Sequence, residues 1–308
     1  MKVYRSLSEF KALKNAVVTS GTFDGVHLGH GKIISMLKET AAKTGGESVV
    51  LTFWPHPRLI VSPYDQKIKL LSTLDEKIEL LENLGIDHLV VLPFTREFSE
   101  LSSEKYVEDV LISGIGTQTL VIGYDHRFGK NREGGFDYLK NNAHRFKINL
   151  VEIPRQEIES LTISSTKIRE ALNNGDILTA NGLLGRPYSF EGLVKKGRQL
   201  GRTIGFPTAN VHVAKKYKLI PSNGVYAVHV YLRGRSFQGV MNIGERPTVD
   251  GKGITQEVHI LDFNDDIYGE TLRVEIADFI RPETKFASLD QLVGQIKADC
   301  EKARELLS

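Results

Sequence analysis

The sequence predicts two domains: an α/β domain with a parallel sheet over residues 1–185, and an antiparallel β-barrel with a terminal helix over residues 186–308. Three observations predict this. The chain has 308 residues, and a domain typically takes roughly 100–200. Up to about residue 146, short β-branched runs alternate with helical patterns, which is typical of α/β folds. After Gly185-Arg186-Pro187, hairpin patterns replace this alternation.

Five strands are predicted in the first half. Most are continuous apolar runs, as in strands buried on both faces of a parallel sheet. They are Ala16–Thr19, Ser48–Phe53, His88–Pro93, Thr119–Gly123 and Ile148–Ile153. In such sheets ligands bind beyond the carboxyl ends of the strands, so we expect functional residues there.

Three helices are predicted between these strands, beginning near Gly29, at Thr73 and near Ser102. Thr73 and Glu76 have the spacing of a capping box, in which each side chain satisfies a main-chain N–H at the helix start. Gly85 is placed to end that helix.

The second half predicts two antiparallel hairpins and a last helix. Val225–Leu232 would pair with Ser236–Met241, and Glu257–Phe263 with Ile267–Ile280. At the end, Ser288 and Gln291 again have capping-box spacing. One helix face carries Leu289, Leu292, Val293, Ile296 and Cys300. Burial of that face against a barrel would also protect strand edges.

Composition excludes several classes of function. Forty Lys and Arg against 38 Asp and Glu give a net charge of +2, too little for long-range recruitment of nucleic acid or anionic membrane. No apolar run approaches the roughly 18 residues of a membrane helix, and residues 1–14 carry charges where a signal peptide is apolar. The single Cys300 cannot form an internal disulfide. We expect a cytoplasmic protein with no nucleic-acid, membrane or obligate protein partner.

The first candidate site is the stretch Gly21–His30, between the first strand and the first helix. Glycines let the backbone approach a phosphate, and a helix start offers unpaired N–H groups. His27 and His30 are three residues apart and can both donate hydrogen bonds to charge developing on phosphorus. Unrelated histidines or half of a metal site are the alternatives. A Walker loop is disfavoured, because Ile33 follows Gly31-Lys32.

A second element, Ile163–Arg169, opens another predicted helix. Its hydroxyl residues Ser164, Ser165 and Thr166 could simply cap the helix. Alternatively, Arg169 could hold the phosphates of ATP or the leaving pyrophosphate, because its guanidinium is always charged. In that case the element would serve the same phosphate chain as the first site.

Together with Thr52–Pro57 and Gly123–Gly129, these elements resemble the HxGH nucleotidyltransferases, in particular the Rossmann-like adenylyltransferase domain of bacterial FAD synthetase. The resemblance implies transfer of AMP from ATP to FMN, giving FAD and pyrophosphate. It implies catalytic roles for His27, His30 and Arg169. The implied ATP contacts are Gly21, Thr22, Phe23, His27, Gly29, His30, Ser164, Ser165, Thr166 and Arg169. The implied flavin contacts are Phe53, Pro55, His56, Pro57 and Asp125. His126 and Lys167 depart from the family's usual residues.

The second candidate site is Gly201–Asn210, which follows the basic run Lys195–Arg198. The run is a weak RNA patch, because stacking aromatics are not interleaved with its charges. Thr208 and Asn210 offer neutral oxygens on one side of an extended segment, which suits the Mg²⁺ of a bound nucleotide. Glu257 could accept a hydroxyl proton if it faces the same cavity. A surface glutamate at a strand start is the alternative.

Gly201–Asn210 carries a GxPTAN-type pattern and resembles riboflavin kinase, as do the later segments Asn223–Tyr226, Asn242–Thr248 and Glu257–Phe263. The resemblance implies phosphorylation of riboflavin by ATP, giving FMN and ADP. Thr208 and Asn210 would bind Mg²⁺, Glu257 would be the base on the ribityl 5′-hydroxyl, and Gly201 would contact ATP. The implied flavin contacts are Arg202, Phe206 and Pro207. Gln256 replaces a residue that is usually aliphatic.

The two resemblances together predict a bifunctional riboflavin kinase/FAD synthetase. One alternative is an HxGH transferase for another phosphorylated metabolite with a non-catalytic flavin-binding barrel. Another is a non-catalytic flavin- or RNA-binding protein. The presence of Thr208, Asn210 and Glu257 favours the bifunctional enzyme.

Overall fold

The computed structural model describes residues 1–61, 68–123, 126–153, 163–197, 200–248 and 251–308. The chain divides into two units, Met1–Ser164 and Ser165–Ser308. The helices Ser165–Asn173 and Ile177–Leu184 therefore group with the barrel. Asn181 Nδ2 donates to the Ile276 carbonyl at 2.9 Å, and Ser222 N donates to the Leu172 carbonyl at 3.1 Å. The domain boundary after residue 185 stays a prediction.

The first unit is built on a six-stranded parallel sheet. Its strands are β1 Lys2–Tyr4, β2 Ala16–Ser20, β3 Glu47–Trp54, β4 His88–Pro93, β5 Thr117–Gly123 and β8 Asn149–Ile153. They lie in the order β1-β4-β3-β2-β5-β8. A small hairpin, β6 Arg127–Phe128 and β7 Gly134–Gly135, lies between β5 and β8 in the chain. All five predicted strands are confirmed, with small differences at their ends.

The edge strand β1 was not predicted. It has three residues, two of them exposed, so it lacks the apolar run that marks the central strands. It is held by pairing with β4, where Lys2 lies opposite His88.

Helices cover the sheet, and each predicted helix is present. The α-helices of this unit are Leu28–Thr44, Pro57–Val61, Leu74–Asn83, Arg96–Ser99, Ser103–Lys105 and Phe136–Phe146, with a π-helix over Tyr106–Ile115 and short 3₁₀ turns at Leu7–Glu9 and Lys130–Arg132. The predicted capping box is confirmed: Thr73 Oγ1 accepts from Glu76 N at 3.2 Å, and Glu76 Oε2 accepts from Thr73 N at 2.7 Å.

The second unit is a closed six-stranded antiparallel barrel. Its strands are β9 Tyr188–Lys195, β10 Ala209–His212, β11 Gly224–Leu232, β12 Arg235–Thr248, β13 Gly251–Ile260 and β14 Thr271–Arg281. They lie in the order β10-β13-β12-β11-β14-β9, and β9 pairs with β10 to close the barrel. The helices of this unit are Ser165–Asn173, Ile177–Leu184, Leu200–Thr203 and Leu289–Leu306. The predicted barrel with a terminal helix is confirmed.

One of the two predicted hairpins is wrong. β11 and β12 pair along their length as predicted. β13, however, pairs with β12 and β10, whereas β14 pairs with β11 and β9. The turn residues Asn264-Asp265-Asp266 therefore belong to a connection across the barrel, because both edges of β13 are already occupied.

The last helix begins where the sequence predicts, with Ser288 Oγ accepting from Gln291 N at 3.3 Å. The Gln291 side chain returns to Ala287 N at 3.2 Å, so the reciprocal bond of a capping box goes to the preceding residue. The buried residues of the helix are Asp299 and Ala303. The predicted apolar face is partly wrong, because Leu289 is 54% exposed.

Candidate active sites

The Gly21–His30 loop lies where β2 ends and the helix Leu28–Thr44 begins, at the carboxyl edge of the parallel sheet. His27 is the residue that caps this helix, and its Nδ1 accepts from His30 N at 3.4 Å. The two imidazole rings are stacked, with centroids 3.7 Å apart and 16° between planes. When Nδ1 is the acceptor, Nε2 carries the proton. The structure thus brings the two histidines together at a helix start, as predicted.

The loop is anchored by a buried carboxylate that no sequence pattern singled out. Asp24 is 2% exposed and accepts hydrogen bonds from Leu71 N at 3.0 Å and Ser72 N at 3.2 Å. Gly25 has φ +80°, and a Cβ there would lie 2.8 Å from the Leu71 side chain. Only glycine combines that conformation with so close an approach. The anchor places the loop against the chain that precedes Thr73.

Other loop residues are placed by contacts within the first unit. Phe23 is 2% exposed, and its ring centroid lies 5.0 Å from that of His30. A Cβ at Gly29 would lie 3.2 Å from the His27 ring and 3.9 Å from Ile163. The chain just before Ser164 therefore passes close to Gly29, the residue between the two histidines.

The Ser164–Arg169 element is divided between the two units. Ser164 closes the first unit, while Ser165, Thr166 and Arg169 begin the second, in the helix Ser165–Asn173. Thr166 and Lys167 are exposed, and Arg169 is half-buried. That these residues serve the same phosphate chain as His27 and His30 stays a prediction.

The predicted flavin residues of the first unit follow β3. Phe53 is 9% exposed and packs with Phe94 and Phe98 in the core, with ring centroids 5.7 and 5.6 Å away. His56 is buried, and its Nδ1 accepts from Arg58 N at 3.2 Å. The remaining residues of this set are Pro55, exposed, Pro57, half-buried at a helix start, and Asp125, which lies outside the described residues. Their flavin contacts stay predictions.

In the barrel, Thr208, Asn210 and Glu257 converge. Thr208 Oγ1 donates to Glu257 Oε2 at 3.4 Å. Asn210 on β10 lies directly opposite Glu257 on β13, which places their Cβ atoms about 4.5–5.5 Å apart on one face. Gln256, 8% exposed, alternates with Glu257 and takes the opposite face. The carboxylate and both neutral side chains thus occupy one site.

The segment before Thr208 is held by residues that sequence patterns did not reveal. His259 Nδ1 donates to the Pro207 carbonyl at 2.8 Å, and the Phe206 ring meets the His259 ring edge-on at 5.5 Å. Phe206 N donates to the Gly201 carbonyl at 2.8 Å, and a Cβ at Gly201 would clash with the Phe206 carbonyl. Asn242 on β12 lies opposite Glu257 on its other side. These neighbours depend on contacts between segments that are far apart in the chain.

A cavity of about 400 Å³ meets this cluster at Thr208 and is lined on β13 by Val258 and Ile260, not by Glu257. Among the predicted residues it brings together Arg202, Pro207 and Thr208. Its other wall includes Phe263, Asn264, Asp265, Asp266, Ile267 and Tyr268. The sequence predicted a hairpin turn at Asn264-Asp265-Asp266 between two strands and gave no sign that this segment lines a cavity. No set of three or more His, Cys, Asp or Glu side chains in the described ranges is arranged to hold a metal ion by itself.

Comparisons with known proteins agree with the two units. A FAD synthetase family model matches residues 9–167, and a riboflavin kinase family model matches residues 184–307. The fold and its sites thus define a protein with one domain for each of two flavin-nucleotide reactions. The chain belongs to the family of bifunctional riboflavin kinase/FMN adenylyltransferases. It phosphorylates riboflavin and adenylylates FMN with ATP, as the main prediction states; the alternatives find no support.

Curated relatives from several bacteria bear that family name, and three of them illustrate the similarity. The Listeria monocytogenes protein is 41% identical, covering 94% of this chain and 92% of its own. The Haemophilus influenzae protein is 40% identical, covering 96% and 95%. The Escherichia coli K12 protein is 37% identical, covering 99% and 97%.

Among solved structures, one from Streptococcus pneumoniae titled a macrolide-efflux protein matches with a TM-score of 0.90 and 34% identity, covering 98% of each chain. That title describes the Streptococcus protein. In the part of this chain that the structure describes, no helix is both long and apolar enough to span a membrane.

Proposed function

We propose that Glu257 is the base of the kinase reaction and that Thr208 and Asn210 hold the Mg²⁺ of its ATP. The observation that carries this proposal is the convergence of these three side chains on one face of the barrel. The riboflavin 5′-hydroxyl oxygen attacks the γ-phosphorus, its proton passes to Glu257, and ADP leaves. Phosphoryl transfer of this kind depends mainly on positioning and charge stabilisation.

The donor set fits Mg²⁺. A hydroxyl and an amide supply neutral oxygens and Glu257 supplies a carboxylate nearby, whereas phosphates and water complete the coordination that Mg²⁺ prefers. When bound, the ion neutralises charge on the phosphates. The protein's own contribution is to hold these oxygens together, with Thr208 at the wall of a cavity that Arg202 also lines.

For the cavity of about 400 Å³, we propose the substrates of the kinase reaction as occupants. Its size is within the range of small-molecule sites. Thr208 lines it directly, so a nucleotide whose metal contacts Thr208 would place its phosphates at this wall. Pro207 lines the same cavity, and the bond from Phe206 N to the Gly201 carbonyl fixes the segment that leads to it.

In the adenylyltransferase reaction, an oxygen of the FMN phosphate attacks the α-phosphorus of ATP, and pyrophosphate leaves. The phosphate is already ionised, so no strong base is required. His27 and His30 would donate hydrogen bonds to the charge that develops on the α-phosphate. Their stacked placement at a helix start supports this role. Ser164, Ser165, Thr166 and Arg169 retain the ATP-binding roles that the resemblance implies.

Both reactions consume ATP, so the same proposal assigns the protein to the cytoplasm. Riboflavin, FMN and ATP are its substrates, and ADP, FAD and pyrophosphate its products. The proposal includes no nucleic acid, membrane or obligate protein partner, in keeping with the net charge of +2.

The substitution His30→Ala tests the adenylyltransferase site. Loss of one donor to the transition state should slow FAD formation from FMN by at least about a hundredfold, while FMN formation from riboflavin is unchanged. Both rates are measured by chromatographic separation of the flavins. His144→Ala, an exposed histidine of the same unit, is the control. FAD formation at the parent rate in the His30→Ala protein would show that His30 plays no such role.

A further inference from the structure

Lys77 is a buried lysine beside the Gly21–His30 loop. It lies in the helix Leu74–Asn83 and is 1% exposed, which is rare for a lysine without a specific partner. Its Nζ donates to the Thr22 carbonyl at 2.6 Å and lies 5.8 Å from the centroid of the Trp54 ring. The helix therefore places the Lys77 ammonium against the main chain of the proposed phosphate-binding loop.

This contact sets the direction of one peptide of the loop. The Thr22 carbonyl accepts from Lys77 and also from Thr52 Oγ1, at 3.3 Å. In a planar trans peptide the C=O and the following N–H point in opposite directions. The N–H of Phe23 must therefore point away from Lys77. Phe23 itself has φ 47°, a conformation that residues other than glycine rarely adopt without support.

We propose that Lys77 is a positioning residue for FMN adenylylation, whose ammonium holds the Thr22 carbonyl so that the Phe23 N–H faces the phosphates of ATP. The inference rests on the proposed assignment of the Gly21–His30 loop to ATP. Lys77 holds the loop at the Thr22 carbonyl, while Asp24 holds it at Leu71 N and Ser72 N.

Keeping Lys77 charged in a buried position costs desolvation free energy. Burial lowers the pKa of Lys77 from 10.5 to about 8, and the nearby Asp24 carboxylate opposes that shift. Because the pKa is lower in the folded protein than in the unfolded chain, stability rises as pH goes from about 8 to 10.5, and the charged form at neutral pH is the destabilised one. Methionine would fill the site without this cost, so a lysine here indicates a use for its charge.

The first test is Lys77→Met in the full chain. We expect kcat/KM for ATP in FAD formation to fall about 10- to 100-fold, the scale of one hydrogen bond from a charged donor, with KM for FMN unchanged. The matched control is Lys38→Met, since Lys38 is exposed and its Nζ also donates to a main-chain carbonyl, that of Leu84 at 2.8 Å. Parent kinetics in the Lys77→Met protein, or an equal loss in the control, would overturn the proposal.

Trp54 provides a readout independent of activity, because it is the single tryptophan of the chain and lies against Lys77. Its fluorescence should titrate with a midpoint near pH 8 in the parent and not in Lys77→Met. FAD formation by the parent should fall above the same pH. In the described part of the chain, Asp24 is the charged group that acts on Lys77, while Thr22 and Trp54 offer neutral contacts. Lys77 should lose its proton within the range from about pH 7 to 9.5. FAD formation by the parent that stays constant over this range would contradict the proposal.

Two further measurements distinguish a positioning role of Lys77 from a structural one. Thermal unfolding followed at Trp54 should differ by no more than a few degrees between the parent and Lys77→Met; a much larger drop would assign Lys77 a structural role and overturn the proposal. Lys77→Arg keeps its charge at all these pH values, so its FAD formation should no longer fall near pH 8. If His30→Ala retains FAD formation, the loop assignment fails first; if only Lys77→Met retains it, the Lys77 proposal fails alone.

Discussion

At the scale of single residues, Glu257 shows how neighbouring strands surround one carboxylate with polar side chains. Its carboxylate accepts from Thr208 Oγ1, and Asn210 and Asn242 flank it on the two neighbouring strands. The strand positions Asn210, Glu257 and Asn242 thus lie side by side on three neighbouring strands. Gln256, which departs from the usual residue of the family, faces the barrel interior and is 8% exposed.

Replacement of this carboxylate by an amide tests its chemistry. Glu257→Gln keeps the size of the side chain and removes the proton acceptor, so FMN formation from riboflavin should fall by about a hundredfold or more. FAD formation from supplied FMN should be unchanged. Glu245→Gln, an exposed position on β12, serves as the control. The measurement is the initial rate of FMN formation from riboflavin and of FAD formation from FMN. Riboflavin phosphorylation at the parent rate would show that Glu257 is not the base.

Among the helices and strands, the C-terminal helix is fastened to the barrel by an ion pair. Arg281 at the end of β14 donates to both carboxylate oxygens of Asp299, from Nε at 2.8 Å and from Nη2 at 2.7 Å. Gln295 Nε2 donates to the same carboxylate at 2.9 Å. The carboxylate is buried with its partners satisfied, so its pairing, together with the packing of Ala303, holds the helix against β11 and β12.

Asp299→Ala should therefore leave the Arg281 guanidinium partly buried without its partner. Breaking a buried pair from one side typically costs about 3–5 kcal/mol, and since Arg281 is 19% exposed we expect the lower end of that range. Urea unfolding of the barrel measures the change, with Glu301→Ala, an exposed position of the same helix, as control. A loss below about 1 kcal/mol would mean that the pair contributes no more than a surface ion pair.

In the chain as a whole, the two reactions share FMN as product and substrate. The residues proposed for the kinase chemistry lie in the barrel, whereas the proposed histidines lie in the first unit. A chain that lacks one activity should therefore keep the other. Mixing two variants tests this independence directly.

Neither His30→Ala nor Glu257→Gln should make FAD efficiently from riboflavin and ATP. An equimolar mixture of the two should do so, after a lag during which FMN made by one chain reaches the other. Time courses of riboflavin, FMN and FAD provide the measurement, and each variant alone is the control. A mixture that accumulates FMN without FAD would contradict independent action of the two sites.

The class of fold and the positions of most elements could be predicted from the amino-acid order, which also singled out candidate residues for both sites. Continuous apolar runs indicate central strands because both faces of such strands are buried. The spacing of a capping box indicates a helix start because the motif depends only on residues close together in the chain. For the same reason, the histidines at a strand-to-helix turn could be singled out without a structure.

Only the folded structure shows which residues that are distant in the sequence come into contact. The pairing of β13 with β10 set Asn210 against Glu257 and disproved the hairpin with β14. The exposed edge strand β1, the cavity wall Phe263–Tyr268, and the contact between Lys77 and Thr22 likewise depend on residues far apart in the chain. Local sequence patterns indicate whether a residue is buried and whether it lies in a helix or a strand. They do not indicate which residue it packs against, because that depends on the packing of the whole unit.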